Sequence, residues 1–202
     1  MTKPTPHPSF NLHVVDAFFS VEVCRQLIAE LRQASSKPAL TYGKGEFGST
    51  DGQVRRTLQL VPSASTIQLV ARRLSEYRHC LEQHFGVRLE GNEEPQFLCY
   101  RLGDFFVAHQ DGNTGLVKLK SDAWRRISVT IFLNQESATP GAETYSGGSL
   151  VFSDWRTDAR LTVAGEAGKL VAFPSETTHE VEPVTHGERY SIVTWYGSPV
   201  RG

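Results

Sequence analysis

The hydrophobic period of the chain changes near Glu94. Before that point apolar residues recur at helical steps of three and four, and after it they alternate. Val23, Leu27, Ile28 and Leu31 form a first helical stripe, with Ser20 placed as N-cap and Glu22 in the opening turn. Ile67, Val70, Leu74, Tyr77 and Leu81 form a second stripe, which predicts a helix from about Ser65 to Phe85. Gly86 follows at the position where a left-handed residue closes a helix. Ahead of both, Phe10 to Asp16 alternates loosely and predicts a strand leading into the first helix.

Beyond Glu94, eight segments suit strands: 97–100, 105–109, 126–133, 149–152, 161–163, 169–173, 178–181 and 189–196. Gly103-Asp104, Gly112-Asn113, Pro140-Gly141, Gly147-Gly148, Gly165, Gly168 and His186-Gly187 separate them as turns. In the third segment Ile127, Val129, Ile131 and Leu133 share one face and Ser128, Thr130 and Phe132 the other. In the last, Arg189, Ser191, Val193 and Trp195 fall on one side, with Tyr190, Ile192, Thr194 and Tyr196 opposite. Short strands following two helices predict an α+β, mainly β fold: a double-stranded β-helix (jelly roll) with supporting N-terminal helices on an outer face.

At 202 residues the chain has the length of one domain, expected over 10–202 behind a disordered, proline-bearing arm at 1–9. The loop Tyr42–Gly52 holds four glycines and reads either as a lid over a pocket or as a plain surface connection. A net charge of −1 removes the basic field that sequence-independent binding of nucleic acid requires. Of the basic pairs, Arg72-Arg73 lies in the second helical stretch and reads as surface charge, whereas Arg55-Arg56 and Arg125-Arg126 flank the expected pocket. Cys24, Cys80 and Cys99 have no framework spacing and read as free, buried thiols of a reducing compartment. With no secretory leader and no apolar run of membrane length, the expectation is a cytoplasmic protein without membrane contact. The oligomeric state is left open.

The chemistry lies in His109-Gln110-Asp111, in His179, and in Arg189-Tyr190-Ser191. Two residues apart on a strand, His109 and Asp111 point to the same side and can converge on one ion, with His179 brought in from a distant strand. Two imidazoles and a carboxylate occupy one face of an octahedral ferrous ion and leave the opposite face open. Zinc is the competing metal, but no H-E-x-x-H helix supplies the general base that zinc hydrolysis would use. A zinc site would also leave Arg189 and Ser191 without a role. Arg189, with Ser191 beside it, is suited to clamp a carboxylate. A metal with open positions next to such a clamp fits 2-oxoglutarate, which chelates iron at one end and carries an acid at the other. The remaining histidines (His7, His13, His79, His84 and His186) read as ordinary surface residues.

Tyr100-x-x-Gly103-x-x-Phe106-x-x-His109-x-Asp111, Phe132-Leu133-Asn134, Gly147-Gly148-Ser149-Leu150, Gly168–Pro174 and His179–Val184 resemble prolyl 4-hydroxylase-type Fe(II)/2-oxoglutarate dioxygenases. The closing Arg189–Tyr196 is similar to the hypoxia-inducible-factor prolyl hydroxylase branch and its bacterial relatives. The resemblance spans most of 10–197. It implies that His109, Asp111 and His179 bind Fe(II) and that Arg189 holds the distal carboxylate of 2-oxoglutarate, helped by Ser191, Tyr100 and Thr130. Trp195, Arg125 and Arg55 would then lie on the substrate side. O₂ is the co-reactant, and ascorbate, which the family often uses to keep iron reduced, is a further implied partner. One departure is Phe132, which stands where that branch has a tyrosine and cannot hydrogen-bond the cosubstrate. The implied activity is hydroxylation of a prolyl residue in a peptide or protein, with release of succinate and CO₂. Hydroxylation of a free amino acid or other small molecule is the alternative, and a non-catalytic module sensing iron or 2-oxoglutarate is a third. Nucleic-acid repair relatives carry a second arginine six residues after the first, where this chain has Trp195.

Overall fold

A computed structural model describes residues 10–40, 50–112, 124–139 and 141–198. The expected arm at 1–9 and most of the loop at 42–52 lie outside the described residues. In chain order the elements begin with β1 (His13–Val15), α1 (Val21–Leu31), β2 (Ser35–Pro38), β3 (Arg55–Arg56) and β4 (Leu58–Val61). Then come α2 (Ala64–Phe85), β5 (Gly91–Asn92), β6 (Gln96–Tyr100), β7 (Phe105–His109) and β8 (Arg125–Phe132). There follow β9 (Gln135–Glu136), β10 (Thr144–Gly147), β11 (Leu150–Asp154) and β12 (Ala159–Val163). The last are β13 (Leu170–Pro174), β14 (His179–Val181), β15 (Val184–His186) and β16 (Arg189–Gly197).

The strands form a large sheet in the order β1-β13-β8-β16-β6-β4-β2, with β5 added on β16, and a smaller one ordered β12-β11-β14-β7-β3. A third, three-stranded sheet (β15-β10-β9) lies apart from both. The expected jelly roll is present. Short strands missing from the sequence reading (β2 to β5, β9, β10 and β15) extend its sheets or build the third.

The two faces of the large sheet explain its alternation. Ile127, Val129, Ile131, Ile192 and Tyr196 pack against Leu27, Leu31, Val70, Leu74 and Leu81 of the helices in one continuous core. Ser20 accepts from the backbone N–H of Val23 as α1 begins. Ser63 caps α2, which begins one residue ahead of the expected Ser65, and Gly86 closes it at φ +65°. The opposite face of the sheet carries Phe132, Val171 and Phe173, which meet Leu150 and Phe152 of the smaller sheet in a second cluster. Both helices therefore cover one face, and the space between the sheets is left for the site. The expectation of three buried thiols needs correcting at Cys80, which is exposed on the solvent side of α2, while Cys24 and Cys99 are buried. His13 also departs from its surface reading, because its ring hydrogen-bonds the Tyr77 hydroxyl at 2.9 Å and packs on His84.

Candidate metal and cosubstrate site

The end of β7 and the start of β14 pair directly, so that His109 and His179 stand opposite each other in register. Their rings lie 4.2 Å apart. Asp111, two residues beyond the strand end, reaches between them, with carboxylate oxygens 3.5 Å from His109 Nε2 and 3.4 Å from His179 Nε2. The three ligand atoms lie within 4.8 Å of one another. This convergence is the one the H-x-D spacing and the distant histidine predict.

Each imidazole is fixed by the same local device. Nδ1 of His109 bonds the Val107 carbonyl at 2.8 Å, and Nδ1 of His179 bonds that of Thr177 at 2.9 Å. With Nδ1 held by a carbonyl, each ring turns Nε2 toward Asp111, and that is the nitrogen a metal would take in place of a proton. Phe106 stacks flat on His109 at 3.5 Å, and Phe173 meets His179 edge-on at 4.6 Å. Asp111 is held through its backbone as well: its N–H donates to the Ser175 carbonyl at 2.9 Å, and its carbonyl accepts from Arg125 Nη1 at 3.2 Å. Gly112 repeats the bond to Ser175 at 3.1 Å, and where the chain returns, the Trp124 carbonyl accepts from Ser198.

The protonation states suit a cation. Burial works against ionisation of Asp111, but the charges of the two imidazoles and hydrogen bonds from His109 and Trp195 outweigh it and hold the carboxyl well below its usual range. Burial, reinforced by repulsion from His109, lowers His179 to about 4. An ionised carboxylate beside a neutral imidazole is the form that binds a metal.

A cavity of about 440 Å³ opens from this cluster, lined by the ligands and by Tyr100, Thr130, Arg189, Ser191 and Trp195. Arg189 is 1% exposed. Its Nη1 donates to Ser191 Oγ at 3.0 Å, its Cζ lies 5.0 Å from the Tyr100 ring and 5.0 Å from the Phe132 ring, and its Nε has no partner. Among the described residues no carboxylate forms an ion pair with it. A buried cation without a counter-ion is costly unless an anion reaches it. The site therefore fits both groups the sequence implies: the three ligands a ferrous ion, and Arg189 with Ser191 the distal acid of 2-oxoglutarate.

The residues expected on the substrate side also line the cavity. Arg125 is 4% exposed and bound in two places by Glu93, through Nε at 2.6 Å and Nη2 at 2.8 Å, while its face lies 3.8 Å over the Trp195 ring. Arg55 lies 4.7 Å over Phe106 and donates to the Leu40 carbonyl at 3.0 Å, leaving Nε buried and unmatched. Arg56 points away, to the Gly103 carbonyl at 2.6 Å. The sequence reading missed Glu93, and no spacing could have shown it, since it meets Arg125 from 32 residues away. Ser128 is not available to replace the hydroxyl missing at Phe132, because it is buried against Ser175 at 3.0 Å.

Residues 95–197 match the 2OG-Fe(II) oxygenase superfamily. A PKHD-type hydroxylase of Paracoccus denitrificans is 31% identical over 183 residues, covering 86% of this chain and 74% of the relative. One of Stutzerimonas stutzeri is 28% identical over 179 residues, covering 88% and 76%. The crystal structure of a prolyl-4-hydroxylase of Pseudomonas putida superposes with a TM-score of 0.71 at 25% identity, over 96% of this chain and 95% of that one. A prolyl hydroxylase of Trichoplax adhaerens, solved with a hypoxia inducible factor peptide fragment, shares the fold at a TM-score of 0.70 and 14% identity, over 94% and 84%.

Proposed function

The chain belongs to the 2OG-Fe(II) oxygenase superfamily, and from that membership we propose that it hydroxylates a prolyl residue in a peptide or protein. It is a 2-oxoglutarate-dependent dioxygenase using Fe(II), 2-oxoglutarate and O₂. The single observation that carries the reading is that the His109–Asp111–His179 cluster shares one cavity with a buried Arg189 whose charge no carboxylate among the described residues neutralises. The choice of proline draws on the Pseudomonas putida prolyl-4-hydroxylase, which resembles this chain along nearly its whole length.

In this reading Nε2 of His109, Nε2 of His179 and the Asp111 carboxylate hold Fe(II), and Arg189 and Ser191 hold the distal carboxylate of 2-oxoglutarate, flanked by Tyr100 and Thr130. When bound, the pair supplies the oxidising chemistry: O₂ is consumed, 2-oxoglutarate leaves as succinate and CO₂, and one oxygen atom ends in the substrate hydroxyl. The protein's own part is geometric. The carbonyls of Val107 and Thr177 keep both imidazoles presenting Nε2. Ser175 and Arg125 fix the backbone of Asp111, so its Cα stays placed for the carboxylate to reach both histidines. His179 and Asp111 expose only 7% and 12% of their side chains, and burial of that order strengthens the charge–charge contacts between them. Trp195, with Arg125 stacked on it, and Arg55 form the surface against which the substrate lies. Because Glu93 already neutralises Arg125, that residue offers a flat face and not a free charge.

The test is to incubate the protein with Fe(II), 2-oxoglutarate, O₂ and proline-containing peptides, following succinate and the mass of the peptide. Substrate-stimulated succinate with a one-oxygen gain on proline is expected. Stimulation by free amino acids and never by peptides would move the substrate class. Absence of succinate formation with every substrate tried would point instead to a non-catalytic sensor.

A further inference from the structure

Beside Arg189 stands Tyr145, a residue of β10 with no exposed surface. Its hydroxyl is buried without a hydrogen-bond partner, as is Nε of Arg189. Unmatched polar atoms at this depth are rare because each forfeits its hydration and gains nothing in return. The two side chains meet over Gly148, where an added Cβ would lie 3.1 Å from Cδ of Arg189 and 3.4 Å from Cε2 of Tyr145. Burial is the largest influence on the phenol and pushes it up to about 12, the guanidinium draws it down, and Glu136 raises it. Tyr145 is thus a neutral hydroxyl at physiological pH.

Its place is closely shaped. A Cβ at Gly165 would lie 1.9 Å from the Tyr145 hydroxyl and 2.8 Å from Cδ1 of Phe132, so only glycine leaves room for that oxygen. Glu136 fixes the same corner by accepting from Ser149 Oγ at 2.6 Å and from the Gly165 N–H at 3.2 Å. Around the guanidinium, Phe132 and Tyr100 offer ring faces and Ser191 one hydroxyl. Tyr145 supplies a second oxygen, from a strand outside both main sheets.

We propose that Tyr145 is a positioning residue for the carboxylate clamp: its hydroxyl accepts from Arg189 Nε when an anion arrives, and holds the guanidinium toward the distal carboxylate of a 2-oxo dicarboxylic acid. It thereby restores, from a residue that is not among those lining the cavity, a hydroxyl that Phe132 does not provide. Two fixed partners, Ser191 and Tyr145, leave the guanidinium no freedom to rotate, which favours a ligand with a carboxylate at one set distance. The proposal rests on the reading of this cavity as a 2-oxoglutarate site.

The experiment measures binding of 2-oxoglutarate and of 2-oxopentanoate, which lacks the distal carboxylate, to Mn(II)-loaded wild type, Tyr145→Phe, Arg189→Ala and the double variant. Tyr145→Phe keeps the ring and removes only the oxygen. The expected result is about tenfold weaker binding of 2-oxoglutarate, the scale of one lost hydrogen bond to a charged group. Binding of 2-oxopentanoate should be unchanged, and no further loss should follow when Tyr145→Phe is added to Arg189→Ala. Equal weakening of both acids would mean a purely structural role and overturn the proposal. So would an unchanged preference, or an additive loss in the double variant. A wild type that binds 2-oxopentanoate and 2-oxoglutarate equally well would instead overturn the cosubstrate reading beneath it.

Discussion

At the metal end of the cavity every charge already has a neighbour: Asp111 lies 3.5 Å from one imidazole and 3.4 Å from the other, and backbone bonds tie down all three ligands. At the clamp end Arg189 is deeper still, and among the described residues no carboxylate forms an ion pair with it. The first region holds its shape by internal pairing, and a cation entering it replaces weak contacts with coordination bonds. The second stores an uncompensated charge, so the arriving anion relieves a cost the fold carries without it. Metal should therefore set whether the reaction occurs, whereas the clamp sets how much cosubstrate it needs.

The largest effect should come from removing a ligand. Asp111→Ala, or His109→Ala, should lower substrate-stimulated succinate formation by at least about 10³-fold, because an open-faced site cannot spare one of three protein ligands. Near-wild-type turnover in either would end the metal reading. Next, Arg189→Ala should raise the apparent KM for 2-oxoglutarate about 100-fold while changing kcat much less, as expected when a charged bond is lost from binding. A steep fall in kcat at saturating cosubstrate would erase the division of labour between the two ends.

A third probe strains the clamp from behind. Gly165→Ala places a methyl against Tyr145 and Phe132, and should cost about 1–3 kcal/mol of stability in urea unfolding. It should also weaken 2-oxoglutarate binding while leaving metal binding alone; equal damage to both would show that the ends are mechanically coupled.

The remaining effect, on stability and not on turnover, is the pH response of the metal end without its metal. His179 is lowered from 6.5 to about 4, first by burial and then by His109. Between those values the unfolded chain holds a proton that the folded one refuses, so stability rises with pH across that window and is lost as pH falls through it. One proton gives a slope of up to about 1.4 kcal/mol per pH unit. In His179→Gln this slope should disappear from the unfolding free energy, and a slope retained in full would assign it to another group.

Much of this contrast was legible in the chain because strand alternation does the sorting. The faces of 126–133 and 189–196 foretold which side meets the helices and which side carries Thr130, Arg189 and Ser191. H-x-D at a strand end foretold that His109 and Asp111 converge. Glu93 and Tyr145 were not legible, since each meets its arginine across a gap that only the tertiary fold closes. Tyr145 also sits in Thr-Tyr-Ser-Gly, too short and too polar to signal a strand. Ser35–Pro38 was missed for a related reason: all four residues are exposed on a sheet edge and show no alternation.

The ties at Gly112 and Trp124 have a practical outcome. Gly112 is sewn to the Ser175 carbonyl and Trp124 to Ser198, and these seams bracket residues 113–123. Arg125 fastens the second margin to the first through the Asp111 carbonyl. Arg125 is thereby a hinge pin for two parts of the molecule, since the side chain that faces Trp195 also grips the main chain of Asp111, and any change that shifts one end of the guanidinium is felt at the carboxylate.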